Sequence, residues 1–153
     1  MSLLRVLNDI LDYSKIEAGK IDLEKVPFDI RLTMSEVIDL FAIGAKQKGL
    51  GINLKIDNKI PQTIIGDAVR LRQVLSNLVG NGIKFTTQGK ITIEVGLEEK
   101  YSNTMKLHFS VKDTGIGIPQ VKIEKLFKRF SQVDESNTKQ FGGTGLGLAI
   151  SKK

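Results

Sequence analysis

At 153 residues, 41% of them hydrophobic and 26% charged, the chain has the size and composition of one packed domain with a short appendage, and is too short for two full domains. Cysteine is absent and His108 is the single histidine, which excludes disulfides, thiolate catalysis, Cys-based metal sites and any multi-histidine site. The formal charge of +6 favours an anionic partner, whether nucleotide, nucleic acid or acidic protein.

Leu4, Leu7 and Leu11 open the chain at helical spacing, and Leu3, Val6, Ile10 and Tyr13 form a second stripe beside them. Two stripes call for two packing neighbours, as in a helical bundle, and Gly19 is placed to end the helix. No run reaches the roughly 18 apolar residues of a membrane span, and Met1-Ser2-Leu3-Leu4-Arg5 lacks the apolar core of a signal peptide. The segment is therefore expected to be soluble, with any membrane attachment supplied by other regions of a larger parent chain. Lys20 to Val26 reads as a strand stopped by Pro27. Asp29 is placed to cap a second helix, whose apolar positions Ile30, Met34, Val37, Ile38, Phe41 and Ala45 run until Gly49.

Ile52, Leu54 and Ile56 alternate with polar residues as a half-buried strand does, and Pro61 and Gly66-Asp67 bracket the approach to a third helix. Further on, Ile91, Ile93, Val95 and Leu97 alternate, as do Leu107, Phe109 and Val111, which predicts an antiparallel hairpin. Helices interspersed with strands and at least one hairpin predict an α+β fold, a two-layer sandwich with helices on one face of a mixed sheet.

The helix starting at Asp67 has two unlike faces. Leu71, Leu75 and Leu78 make an apolar stripe, while Arg70, Gln73, Asn77, Asn81 and Lys84 recur at steps of three and four. Such a stripe is commonly solvated surface. Asparagine is a poor helix former, however, so two of them one turn apart need another reason. An amide oxygen is a neutral hard ligand for Mg²⁺ and a lysine one turn along offers a point charge to phosphate, so the face suits a metal-bound polyphosphate. The helix is expected to break near Gly80 and Gly82.

Asp113-Thr114-Gly115-Ile116-Gly117-Ile118-Pro119 follows a strand directly, so a carboxylate stands at a sharp backbone turn. One glycine would serve a plain turn. Two at alternate positions let a flat ligand approach the backbone, and the carboxylate there is placed to accept a proton from an exocyclic amine. Gly142-Gly143-Thr144-Gly145-Leu146-Gly147-Leu148 packs four of the chain's fifteen glycines into six residues, just before the helix-like Ala149-Ile150-Ser151. Closely spaced backbone N–H groups at a helix start bind anions. The lysine of the P-loop is missing, and the interleaved leucines argue against a flexible linker. Between these clusters, Gln120 to Phe141 reads either as a glycine-hinged lid carrying Lys122, Lys125, Lys128, Arg129 and Lys139 or as an ordinary exposed helix face.

The ordered set Asn77 to Thr86, Asp113 to Pro119, Leu126-Phe127-Lys128-Arg129-Phe130 and Gly142 to Ser151 resembles the N, G1, F and G2 boxes of sensor histidine kinases. Asn8 to Gly19 resembles the second helix of that family's dimerisation domain and the hinge after it, especially in hybrid kinases. The resemblance implies residues 1–19 from a dimerisation and phosphoacceptor hairpin, followed over residues 20–153 by a catalytic ATP-binding domain of the Bergerat type shared with gyrase, Hsp90 and MutL proteins. That domain is expected to be truncated at its C-terminus. The phosphoacceptor histidine would lie outside this chain, in the same protein or its dimer mate.

By the same resemblance, Asn81 would ligand Mg²⁺ with Asn77 beside it, Lys84 would contact phosphate, Asp113 would read the adenine amino group, Gly115 and Gly117 would belong to the nucleotide-binding turn, and Ile118 would line the adenine pocket. Phe130 and Gln132 would belong to the lid, while Gly143, Thr144, Gly145, Leu146, Gly147 and Leu148 would wrap the triphosphate. The cofactors implied are ATP and Mg²⁺, and the partners are a response-regulator receiver domain and a second copy of the full-length protein. Gyrase-like relatives place a glutamate at the position of Asn77 to activate water. An amide removes that general base and favours phosphoryl transfer to a protein acceptor.

Gly82 stands where alanine is common in the family, and Gln132 where some members place an arginine. His108 sits on the opposite strand face from Leu107 and Phe109 and is not expected to replace the missing acceptor. The competing reading is a non-catalytic dimerisation or interaction module with a degenerate nucleotide pocket. Nucleic-acid binding ranks below both, because the basic residues are scattered and aromatics are only 6%.

Overall fold

A computed structural model describes residues 22–123 continuously, and residues 7, 11, 14, 15, 17–19, 148 and 151 besides. The chain divides into two compact units, one spanning Leu23–Ile116 and the other combining Met1–Asp22 with Gly117–Lys153.

In the first unit the elements follow as β1 (Val26–Asp29), α1 (Ile30–Gln47), β2 (Gly51–Ile56), β3 (Thr63–Gly66), α2 (Ala68–Phe85), β4 (Lys90–Lys100) and β5 (Met105–Asp113). A three-stranded mixed sheet has the order β2-β4-β5, with β2 parallel and β5 antiparallel to the central β4. Parallel neighbours need a crossover, and β3 with α2 supplies it. This is the expected α+β arrangement, with both helices packed on one sheet face.

Register decides what each face carries. Ile91, Ile93 and Val95 are buried, and their cross-strand partners are Ile52, Leu54 and Ile56 on β2 and Val111 and Phe109 on β5. These rows meet Ile30, Met34 and Val37 of α1 and Leu75, Val79 and Ile83 of α2 in one core. Alternation turns the intervening residues to the other face, where Lys55 and Lys112 grip Glu94 from both neighbouring strands at 3.1 and 2.6 Å. His108 shares that exposed face, opposite Gly96, as the alternation predicted.

Three local expectations need correction. Residues 22–25 form no strand, and β1 instead starts at Val26 and runs through Pro27, antiparallel to β3 in a separate two-stranded sheet. A two-stranded ribbon consists of edges, so Pro27 can direct its missing N–H away from the partner. The α2 stripe is Leu71, Leu75, Val79 and Ile83 rather than Leu71, Leu75 and Leu78, because the helix packs against both α1 and the sheet. Finally, α2 does not break at Gly80 and Gly82 but continues to Phe85. Those glycines make room: a Cβ on Gly80 would stand 3.4 Å from the Phe41 ring, and one on Gly82 3.3 Å from Ile91 Cγ1.

The caps fall where they were expected. Asp29 Oδ1 accepts from the N–H groups of Arg31 and Leu32, at 2.8 and 3.0 Å, and Gly49 takes φ +67 just beyond α1. In the second unit, Leu7, Leu11, Ser14, Lys15 and Glu17 are helical, and Gly19 lies in the turn that follows at φ +63. Gln120–Ile123 forms a short helix, α3. No helix among the described residues is long and apolar enough to cross a membrane.

Hydrogen bonds from Lys112 and then Lys55 hold the Glu94 carboxyl down to about 2. A depressed carboxylate adds stability above its unfolded value, near 4.5, and loses it as pH falls through the folded value. Glu94→Gln is therefore expected to flatten the decline in melting temperature between pH 4.5 and pH 2. Equal declines in the two proteins, measured by circular dichroism, would contradict the role of this ion pair.

Candidate nucleotide site

Helix α2 begins at Asp67, whose carboxylate accepts from Arg70 N–H at 2.9 Å and from Glu24 N–H at 3.2 Å. The backbone bond from Arg70, followed by that from Glu24, holds its pKa below the usual carboxylate value. With the helix start pinned, Arg70, Gln73, Asn77, Asn81 and Lys84 share one half-buried face, and Arg70 Nη1 donates to Gln73 Oε1 at 2.7 Å. At the far end, Lys48 Nζ reaches across from α1 to the carbonyls of Ile83 and Lys84, at 2.8 and 3.3 Å. A cation on those last carbonyls complements the negative end of the helix.

Lys84 lies in that last turn with its ammonium 4.8 Å above the Phe85 ring, and burial pushes its pKa below the usual lysine value. A partly desolvated cation gains more from a bound anion than a fully hydrated one does.

Asp113 occupies the last position of β5, directly across from Ile91. Because Ile91 points toward the helices, the same row places Asp113 on the helix-covered face at its open end. A Cβ on Gly82 would stand 3.5 Å from Asp113 Cβ, so the Asp113 side chain starts against α2 at the residue that follows Asn81. Asp113 Oδ1 then accepts from Gly115 N–H at 2.8 Å, which closes the turn and leaves Oδ2 on the same exposed residue.

The turn is keyed into the end of α2. Ile116 N–H donates to Phe85 O at 3.4 Å, and a Cβ on Gly115 would fall 2.5 Å from Phe85 O, 2.8 Å from Asp113 Oδ1 and 2.9 Å from Thr86 Oγ1. No side chain fits there. Thr86 is fully buried, and its hydroxyl is without a hydrogen-bond partner. Ile116, the next residue, is 73% exposed and offers an apolar surface beside the carboxylate. The unit thus joins three chemistries along one edge: neutral amide oxygens, a partly desolvated cation, and a carboxylate next to apolar surface.

Among the described residues no group of three or more His, Asp or Glu side chains converges as a metal cage. The donor set of α2 is amides, which suit a cation that takes most of its ligands from phosphate and water. In the second unit, Gly117 adopts φ +68, Ile118 is exposed, and Leu148 and Ser151 are helical. Phe130, Gln132, Gly143, Thr144, Gly145, Leu146 and Gly147 lie outside the described residues. Spacing had assigned no part to Lys48, Thr86 or Thr114. For Lys48, nothing in a linear pattern could reveal a partner 35 residues away.

The family model for histidine kinase-, DNA gyrase B- and HSP90-like ATPases matches residues 66–153, more than half of the chain. The signal transduction histidine-protein kinase BarA of Escherichia coli K12 is 45% identical over 152 residues, which is 99% of this chain and 17% of BarA. The crystal structure of full-length ShkA in complex with AMPPNP agrees at a TM-score of 0.79 with 33% identity, over 97% of this chain and 29% of ShkA. Histidine kinase ThkA, in its complex with the response regulator protein TrrA, agrees at 0.64 with 30% identity, over 85% of this chain and 36% of that one. The chain belongs to the histidine kinase-, DNA gyrase B- and HSP90-like ATPase family. Within it, this is an ATP-binding domain of the sensor histidine kinase type, and it spans about a sixth of the length of the bacterial relatives it matches.

Two glycines at the site are expected to respond differently to one added methyl. Gly82→Ala meets Ile91 at 3.3 Å but gains helix propensity of about 1 kcal/mol, so its stability should stay within about 1 kcal/mol of wild type. Gly115→Ala meets a backbone carbonyl at 2.5 Å and should lose about 1–3 kcal/mol. Urea unfolding checks both, and the reverse ranking would contradict the packing described.

Proposed function

We propose that this region holds Mg-ATP along the edge formed by α2 and the turn after β5, and presents its γ-phosphoryl group to a histidine in the dimerisation domain of the parent kinase. Asn81, with Asn77 beside it, ligands Mg²⁺ through amide oxygens. Lys84 neutralises phosphate, and Asp113 accepts from the adenine amino group with Gly115, Gly117 and Ile118 around the base. Phe130, Gln132 and the Gly143 to Leu148 turn complete the lid and the triphosphate cradle. Residues 1–19 serve as the second helix of the dimerisation hairpin, and residues 20–153 as the catalytic domain.

The observation that best supports this reading is the packing of Asp113 against α2 at Gly82, the residue after Asn81, where an added Cβ would stand 3.5 Å from Asp113 Cβ. Neither the stripe nor the turn would be specific alone. Together they offer a donor set for both ends of an adenine nucleotide. The complex of ShkA with AMPPNP supports the nucleotide assignment.

With asparagine at position 77 the helix offers no carboxylate to activate water, which favours transfer to an acceptor side chain over hydrolysis. In that transfer the bond from the γ-phosphorus to the β,γ-bridging oxygen breaks, ADP departs, and a new bond forms to the unprotonated imidazole nitrogen, while the ring gives up the proton of its other nitrogen. His108, exposed on the far face of the sheet, is not the acceptor. The complex of ThkA with TrrA supports a response regulator as the next recipient.

Calorimetric titration with AMPPNP, with and without Mg²⁺, tests the assignment. Wild type should bind in a Mg²⁺-dependent manner, and Asn81→Ala should lose at least about tenfold, the equivalent of about 1.4 kcal/mol. Unchanged affinity and unchanged cation dependence in Asn81→Ala would refute it.

A further inference from the structure

We propose that Thr114 is a positioning residue for the nucleotide site: its hydroxyl latches the loop between α2 and β4 onto the turn after β5, and thereby sets Asp113 against α2 at Gly82, the residue after Asn81. The inference rests on the reading of Asp113 and Asn81 given above and adds a residue to which that reading assigns no part.

The loop is short, with only Thr86 to Gly89 separating Phe85 from Lys90. It must connect the end of the helix that carries Asn81 and Lys84 to the strand that pairs with Asp113. The Thr114 side chain fills its inside. Lys90 N–H donates to Thr114 Oγ1 at 3.1 Å, and the hydroxyl itself donates to Gln88 O, also at 3.1 Å. One hydroxyl thus uses both its accepting and its donating capacity on two backbone groups that flank a single residue.

That residue is Gly89, and its geometry records how tightly the loop is wound on the hydroxyl. It takes φ +111, where side chains are rarely tolerated, and a Cβ there would lie 2.1 Å from Thr114 Oγ1. Its carbonyl turns outward to accept from Gly51 N–H at 3.0 Å, so the same loop also registers the start of β2. The neighbours of Thr114 are the two residues that need placing. Asp113 precedes it, and Gly115, which follows, sits against Phe85 O with no space to spare. Freed from Thr114, the turn would keep its internal bond from Gly115 N–H to Asp113 Oδ1, but the base-reading carboxylate would lose its fixed distance from α2. Displacements of about 1 Å in such constellations cost as much as about 100-fold in function.

Valine keeps the shape of threonine and removes the hydroxyl, while serine keeps the hydroxyl and removes the methyl. Thr114→Val is expected to weaken Mg-AMPPNP binding about tenfold, whereas Thr114→Ser should stay within about threefold of wild type, because the latch acts through hydrogen bonds. Amide hydrogen exchange supplies a readout independent of nucleotide. In Thr114→Val the amide of Lys90 should exchange at least about tenfold faster, while those of Gly115, whose bond to Asp113 Oδ1 is internal to the turn, and of Ile93 within β4 stay protected.

If wild type fails to bind nucleotide, the proposed function falls, and Thr114 as a positioning residue falls with it. The latch is then judged by exchange alone. If Thr114→Val proves unfolded, with Ile93 unprotected, the same comparison is made with Thr114→Ala. Wild-type affinity in the folded valine variant, equal losses in the serine and valine variants, or an unchanged Lys90 exchange rate would each overturn the proposal.

Discussion

The close approach of α2 to the sheet is the constraint on which the rest depends. At Gly82 the helix backbone comes so near to Ile91 and Asp113 that a single methyl group would touch both, and at Gly115 the turn after β5 lies against the last carbonyls of the same helix. Ordinary side chains at these positions would hold the layers apart, at the usual helix-to-sheet spacing. Two small residues, one on each partner, instead let Asp113 and the turn after it pack directly on the last turns of α2, the helix that carries Asn77, Asn81 and Lys84. The ties at either end keep that approach in place: Asp67 at the N-terminus of the helix, and Lys48, which reaches its final carbonyls from α1.

The site that results is chemically heterogeneous, and its parts are unequal in what they can contribute. Asn77 and Asn81 carry no charge, so in the proposed role they would add little attraction for a bare cation and would require an anion to bring the metal with it. Lys84 is held at a cost, because its surroundings disfavour the charged ammonium. A bound phosphate would reverse that cost. This coupling favours the metal–nucleotide complex over either component alone, an electrostatic argument for a polyphosphate rather than for a free divalent ion. The exposed sheet face differs. Its Lys55–Glu94–Lys112 ladder is closed on itself, and the carboxylate is already satisfied from both sides.

Much of the scaffold was legible in the sequence. Asp29 and Gly49 bracket α1, alternation identifies β2, β4 and β5, and the spacing of Asn77, Asn81 and Lys84 marks one helix face. The errors share a cause. Gly80 and Gly82 read as breakers because propensity treats glycine as an isolated cost, whereas here they lie in close contact with Phe41 and Ile91 respectively, where small residues suit a helix that runs on unbroken. Pro27 read as a stop because a central strand would exclude it, and the two-stranded ribbon does not. Leu78 read as core because local periodicity cannot tell that the helix packs on two sides. A further signal lies in β5: Leu107, Phe109 and Val111 extend by alternation to Asp113, which puts an acidic residue in the fourth inward position, at the open end of the helix-covered face.

Replacing Mg²⁺ with paramagnetic Mn²⁺ tests most directly whether the α2 amides hold a nucleotide-borne metal. On adding Mn²⁺ together with AMPPNP, the backbone signals of Asn77 to Lys84 should broaden first in a two-dimensional amide spectrum, with those of Glu94 and His108 spared and little change when Mn²⁺ is added alone. Broadening centred on the exposed sheet face, or equal broadening with and without nucleotide, would contradict the account.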